Sequence, residues 1–174
     1  PGVTFTNVAV PIIDNNLVEP DRNIHLSLQN PQPSHFVSVG TLSNAFLSIR
    51  DNDSAFGLRP FAAGGFNYTA NEGDVGRDSL LIFEVERSGN NTGQVSVVVQ
   101  AFAGTATEAD FQFASDTVVF SDGDTVKAVT NRIIGDNLPE GAEQYTLRLV
   151  NSSPTNSTSL TSATNATVTI VDND

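Results

Sequence analysis

The chain has 174 residues, with 20 acidic against 8 basic side chains and a formal net charge of −12. That balance argues against nucleic acid or an anionic membrane surface as a partner and is compatible with cations. No Cys is present, so a disulfide scaffold and thiol chemistry are excluded, and Met and Trp are also missing. No stretch approaches the roughly 20 apolar residues of a membrane-spanning helix, and no signal peptide is visible. The start at Pro1 suggests a processed chain or an excised fragment.

Hydrophobic period two runs along the chain. "IHLSL" (24–28) alternates first. "RPFAAGGF" (59–66) reads as a linker leading into a strand, with Phe61 and Phe66 packing locally. In "LLIFEVER", Leu81, Phe83 and Val85 alternate with Glu84 and Glu86. "QVSVVVQAF" and "DTVVF" add strands. "YTLRLV" puts Tyr145, Leu147 and Leu149 on one face, and "ATVTIV" does the same with Ala166, Val168 and Ile170. Such alternation marks half-buried antiparallel strands. Turns are expected at "RSGNNTG", "SDGD" and "NSSP". No segment has a helical period. The expected fold is all-β, an immunoglobulin-like antiparallel β-sandwich of about seven strands.

The chain also repeats itself. Shifted by 121 positions, Pro1–Asp53 lies on Asp122–Asp174 without a gap and with 19 identities over 53 positions. Ile12-Ile13 meets Ile133-Ile134, Leu26 and Leu28 meet Leu147 and Leu149, and Asp51-Asn52-Asp53 meets Asp172-Asn173-Asp174. Such a repeat signals an array of similar units. The sequence divides into the C-terminal half of one unit (1–53), a linker (54–65) and a complete unit (66–174). A half β unit leaves unpaired edges and half a core, so another unit or chain is an expected partner, in a homo-oligomer or a larger assembly.

Acids collect at the strand ends. Asp136, Glu140 and Glu143 precede "YTLRLV", and Asp172 and Asp174 follow "ATVTIV". Antiparallel neighbours bring such positions to one pole, where five carboxylates repel. A hard divalent cation resolves that repulsion, and calcium accepts about six to eight oxygen ligands. The absence of Cys and the sparse His argue against zinc or copper. Solvated loop acids are the plainer alternative.

Residues 66–174 resemble a Calx-beta domain, a module first associated with sodium–calcium exchangers and found in many extracellular adhesion proteins. The resemblance runs in order through "NYTANEGD", "FEVERSG", "GTATEADF", "VVFSDGDTVKAV", "IIGDNLPEGAEQYTLRL" and "ATVTIVDND". Residues 1–53 resemble the last half of the same module. The resemblance implies a calcium site of Glu72, Asp110, Asp136, Glu140, Glu143, Asp172 and Asp174, with the Leu138 carbonyl as a further ligand. Gly135 stands where strong binders often carry an Asp, which implies fewer ions or weaker affinity. In the first unit the corresponding ligands are Asp14, Asn15, Glu19, Asp51 and Asp53. Arg22 stands in the place of Glu143 there and would act as a substitute charge.

The function expected is an extracellular, calcium-binding structural and adhesion module, in which Ca2+ stiffens domain ends and the joint between units. An assembly like the sponge aggregation factor core is one such setting. Glycosylation sequons at Asn67, Asn90, Asn151, Asn156 and Asn165 fit a secreted glycoprotein or ectodomain. A calcium-independent scaffold is the competing expectation. A hydrolase using Glu140 and Glu143 as a carboxylate pair is disfavoured, because the two acids lie three residues apart on one loop and no Trp or catalytic triad is available.

Overall fold

The computed structural model describes residues 5–61 and 65–174. Twelve strands are present among them: β1 (Arg22–Ser27), β2 (Asn44–Ile49), β3 (Ser54–Leu58), β4 (Asn67–Asn71), β5 (Ser79–Gly89), β6 (Val95–Ala103), β7 (Phe111–Gln112), β8 (Ser115–Phe120), β9 (Val126–Ile133), β10 (Glu143–Ser153), β11 (Thr158–Leu160) and β12 (Asn165–Val171). Strands β3 to β12 form a sandwich. One sheet has the order β4-β12-β10-β6-β8 and the other β11-β3-β5-β9-β7. No described helix is long and apolar enough to cross a membrane.

The period-two faces build the core. Phe83 and Val85 from β5, Tyr145 and Leu147 from β10, and Val168 from β12 are all buried against Phe56, Val97 and Phe120. Each such side chain removed from water contributes about 1.5–3 kcal/mol. Tyr145 stacks on Phe111 with ring centroids 4.1 Å apart. Its hydroxyl is bonded to the buried amide of Asn131, an otherwise apolar-face polar group.

Three features depart from the sequence-based expectation. The unit has ten strands rather than seven, because short β7 and β11 join edges where alternation is too brief to read. Two pairings, β12 with β4 and β11 with β3, are parallel. The expected linker at 54–65 is in its first part a strand. Ser54–Leu58 is buried along its whole length as β3, hydrogen-bonded to β5 and β11. A strand buried on both faces shows no alternation, which hides it from a period-two search.

Strands β1 and β2 form a separate hairpin with Arg22 opposite Ile49. In the sandwich Glu143 is opposite Ile170, the same register displaced by the 121-residue repeat. Among the described residues the hairpin has only this one pairing. Leu26 and Leu28 are 38% and 66% exposed, whereas their counterparts Leu147 and Leu149 are 0% and 4% exposed.

The first unit meets the second at a close joint. The Asn16 amide donates to the carbonyls of Thr155 and Thr158, at 3.4 and 3.5 Å. The Asn90 backbone N–H donates to the Asp53 carbonyl at 2.8 Å, and the Asn90 side chain donates to the Asn52 carbonyl at 3.1 Å. Gly89 has φ of +81°, and a Cβ there would lie 2.7 Å from Val18 and 2.5 Å from the Asp53 carbonyl oxygen. Only glycine permits both the conformation and the approach. Beneath it, Arg87 is buried and donates to Ser54 Oγ and to the carbonyls of Asn90, Thr92 and Gly93. The guanidinium therefore holds the β5–β6 turn against the joint.

Candidate metal centre

The pole of the sandwich is built from strand ends that lie far apart in sequence. Glu72 follows β4, whose parallel pairing with β12 carries Val171 alongside Asn71. The Glu72 N–H donates to the Val171 carbonyl at 2.8 Å. The same pairing brings Asp172 and Asp174 to this pole. Glu143 opens β10 beside the end of β12, and Asp136 lies just beyond β9. Asp110, before β7, is fastened because its carbonyl accepts from Ile134 N at 2.9 Å and its carboxylate caps Thr107 N at 2.6 Å.

The carboxylates converge in two groups. Glu72, Asp136 and Asp174 form one, and Asp110, Glu140 and Glu143 form the other, each with one oxygen per residue within 4.8 Å of the others. Asp172 lies between them, accepting from Glu140 N at 3.0 Å and Asp174 N at 3.3 Å. These seven acids are the set expected from the sequence. No ion pair reaches any of them among the described residues. Leu138 is tied in by its N–H, which donates to Asp136 Oδ1 at 2.6 Å, and its side chain is exposed.

Crowding has an electrostatic consequence. Burial pushes the Glu72 carboxyl above the ordinary range, with further upward pressure from Asp136, Asp172 and Asp174. Glu140 and Glu143 are raised by desolvation and then by the Asp110 charge. Asp174 is raised by desolvation and by Asp172, Asp136 and Asp74. Asp172 alone is lowered, first by the N–H of Glu140. A pole where burial and like charges press several carboxyls upward, with donors that are all hard oxygens, fits a divalent cation of the calcium type.

One contributor was not identified from the sequence. Asp74 forms a parallel bridge with Asp136, and Asn173 donates to its carboxylate at 3.4 Å. Its only sequence signal is its place two residues after Glu72 in "NEGD". At Gly135 the backbone adds a steric constraint. A Cβ there would lie 2.1 Å from the Gly73 carbonyl oxygen and 2.6 Å from that of Asp74. The close approach of two backbones that carry candidate ligands favours glycine at this position, and any side chain there would have to force the two segments apart.

In the first unit Asp14, Asn15, Glu19, Asp51 and Asp53 line one cavity of about 320 Å³. The Asn15 carboxamide oxygen accepts from Leu17 N at 2.7 Å, as Asp136 accepts from Leu138 N. Asp53 is buried, its Oδ1 has no hydrogen-bond partner, and its carboxyl is raised by burial and by Asp51, Asp14 and Glu19. Among the described residues, however, carboxylate oxygens converge in threes only at the pole of the second unit. Of the sequons, Asn67, Asn151, Asn156 and Asn165 are exposed, whereas Asn90 is half-buried with its amide committed to the joint.

The Calx-beta domain family model matches residues 1–53 and 67–174. The chain belongs to the Calx-beta family. One relative, "Adhesion G-protein coupled receptor V1" of Danio rerio, is 28% identical over 179 residues, which cover 88% of this chain and 3% of the receptor. The chain thus spans a small part of that relative's length. Among solved structures, the calcium binding domain CBD12 of CALX1.1 matches at 27% identity and a TM-score of 0.59, covering 68% of this chain and 46% of that one. The apo-form Calx CBD1 domain matches in fold with a TM-score of 0.58 at 24% identity, covering 70% of this chain and 99% of that one. These likenesses agree with the observed all-β sandwich.

Proposed function

We propose that the chain is a calcium-binding structural module of an extracellular adhesion protein, and that Ca2+ stiffens the pole of its complete unit. The observation that carries this reading is the convergence of two three-carboxylate groups, bridged by Asp172, with no ion-paired base among the described residues. An ion there would draw together the ends of β4, β9, β10 and β12. The calcium-binding neighbour among the solved structures supports the metal. The adhesion receptor relative and the exposed sequons support the ectodomain setting. The open face of the β1–β2 hairpin supports a further segment, from another unit or chain, packing on Leu26 and Leu28.

Calorimetric titration with calcium, alongside thermal unfolding in calcium and in chelator, tests the metal. The expected result is saturable binding and a higher midpoint in calcium. No heat of binding together with an unchanged midpoint would leave a metal-independent scaffold instead.

A further inference from the structure

We propose that Arg22 is a built-in counter-cation that replaces a metal ion at the pole of the first unit, so that the two equivalent poles of this chain divide their roles. The inference rests on the reading that the pole of the second unit takes calcium. By the repeat, Glu19 corresponds to Glu140 and Arg22 to Glu143. In the second unit Glu140 and Glu143 point oxygens at one spot together with Asp110. In the first unit the Arg22 guanidinium forms an ion pair with Glu19 Oε1, and the Asn15 amide donates to Glu19 Oε2 at 3.2 Å. Both oxygens of Glu19 are thus satisfied by the chain itself. The guanidinium already supplies, beside Glu19, the positive charge that a cation would bring.

A second substitution works in the same direction. Arg50 lines the same cavity, where the repeat counterpart is Val171. Four carboxylates, Asp14, Glu19, Asp51 and Asp53, line that cavity together with Arg22 and Arg50, and Arg22 is the one that forms an ion pair, with Glu19. At the pole of the second unit no base is ion-paired to Glu140 or Glu143 among the described residues. A guanidinium is always charged, and its planar fork matches a carboxylate. The joint is meanwhile fixed by metal-free contacts, those of Asn16 with Thr155 and Thr158 and of Val18 with Gly89. The stiffening expected of calcium at the joint is therefore supplied by the protein, and calcium acts at the other end of the unit.

The test uses the 174-residue chain and calcium chloride, read by isothermal titration, with folding checked by circular dichroism. Relative to wild type, E72Q/D136N should weaken calcium binding at least about tenfold. On that background R22E, which restores the Glu143 pattern, should bind calcium at least about tenfold more tightly, because affinity follows ligand charge. R22Q on the same background should give a smaller gain, and it decides the matter if R22E does not fold. The inference is overturned if E72Q/D136N retains a calcium site that E19Q/D51N removes. It is also overturned if neither Arg22 variant gains affinity. A wild-type chain that binds no calcium sinks the reading of the free pole alone, and the Arg22 variants then still decide the inference.

Discussion

Position 135 separates what charge counting expects from what the backbone allows. Counting ligands, Gly135→Asp adds a carboxylate to a cation site and should tighten calcium binding. In the fold, a Cβ at 135 lies 2.1 Å from the Gly73 carbonyl oxygen. A carbon and a carbonyl oxygen rest no closer than about 3.3 Å, so from 2.1 Å the two segments must part by roughly 1.2 Å (3.3 − 2.1). The obstacle is backbone on both sides, so no rotamer change relieves it. The displaced segments carry Glu72 and Asp74 on one side and Asp136 on the other, where Asp136 N donates to Glu72 Oε1 at 3.0 Å. Calcium–oxygen distances span only about 2.3–2.6 Å, much less than that displacement. Overpacking of this kind costs about 1–3 kcal/mol, or roughly 2–12 °C in midpoint for a chain of this size. Both Gly135→Ala and Gly135→Asp should therefore weaken calcium binding at least about tenfold, equivalent to about 1.4 kcal/mol. Titration calorimetry and differential scanning calorimetry on the two variants measure both effects. Tighter binding by Gly135→Asp, or wild-type binding by Gly135→Ala, would refute the steric account.

Other outcomes follow from the same geometry. Glu72, Glu140, Glu143 and Asp174 hold protons more tightly folded than unfolded, so in chelator each contributes stability to the folded state as pH falls from neutral toward the ordinary carboxylate range. Saturating calcium should abolish that contribution, because the bound ion keeps the carboxylates ionised, and calcium affinity should fall over the same interval. Melting curves at two pH values with and without calcium check both signs. Arg87→Ala should cost about 2–4 kcal/mol in chemical denaturation, since it strips one side chain from four acceptors at the joint. Tyr145→Phe leaves the buried Asn131 amide without its partner and should cost about 1–3 kcal/mol by the same measurement. Leu147→Ala, at a fully buried site, should cost about 2–5 kcal/mol and leave calcium stoichiometry unchanged.

The division at Arg22 alters how a string of such units would respond to calcium. A chain in which every pole binds metal stiffens throughout when the ion arrives. Here one pole carries its own positive charge, and the joint beside it is set by backbone carbonyls, an asparagine amide and a glycine contact. Calcium sensitivity is then concentrated at the opposite end, among the loops that follow β4, β9 and β12.

Period two in "YTLRLV" and "ATVTIV" was enough to determine which faces of β10 and β12 are buried, because a strand places alternate side chains on opposite sides regardless of its neighbours. The 121-residue repeat determined that Arg22 and Glu143 are equivalent, and the hairpin registers agree. The family motifs were enough to name the seven acids of the free pole. Only the tertiary structure decided which of them meet in threes, since that depends on the parallel pairing of β4 with β12 across about one hundred residues of chain. Only the structure identified Asp74 as a neighbour and β3 as a buried strand, because neither a lone acid nor a short strand buried on both faces leaves a periodic signal. The meaning of Gly135 was likewise out of reach of the sequence. Its lack of a side chain looks like a missing charge until the backbone of Gly73 is seen lying where that side chain would go.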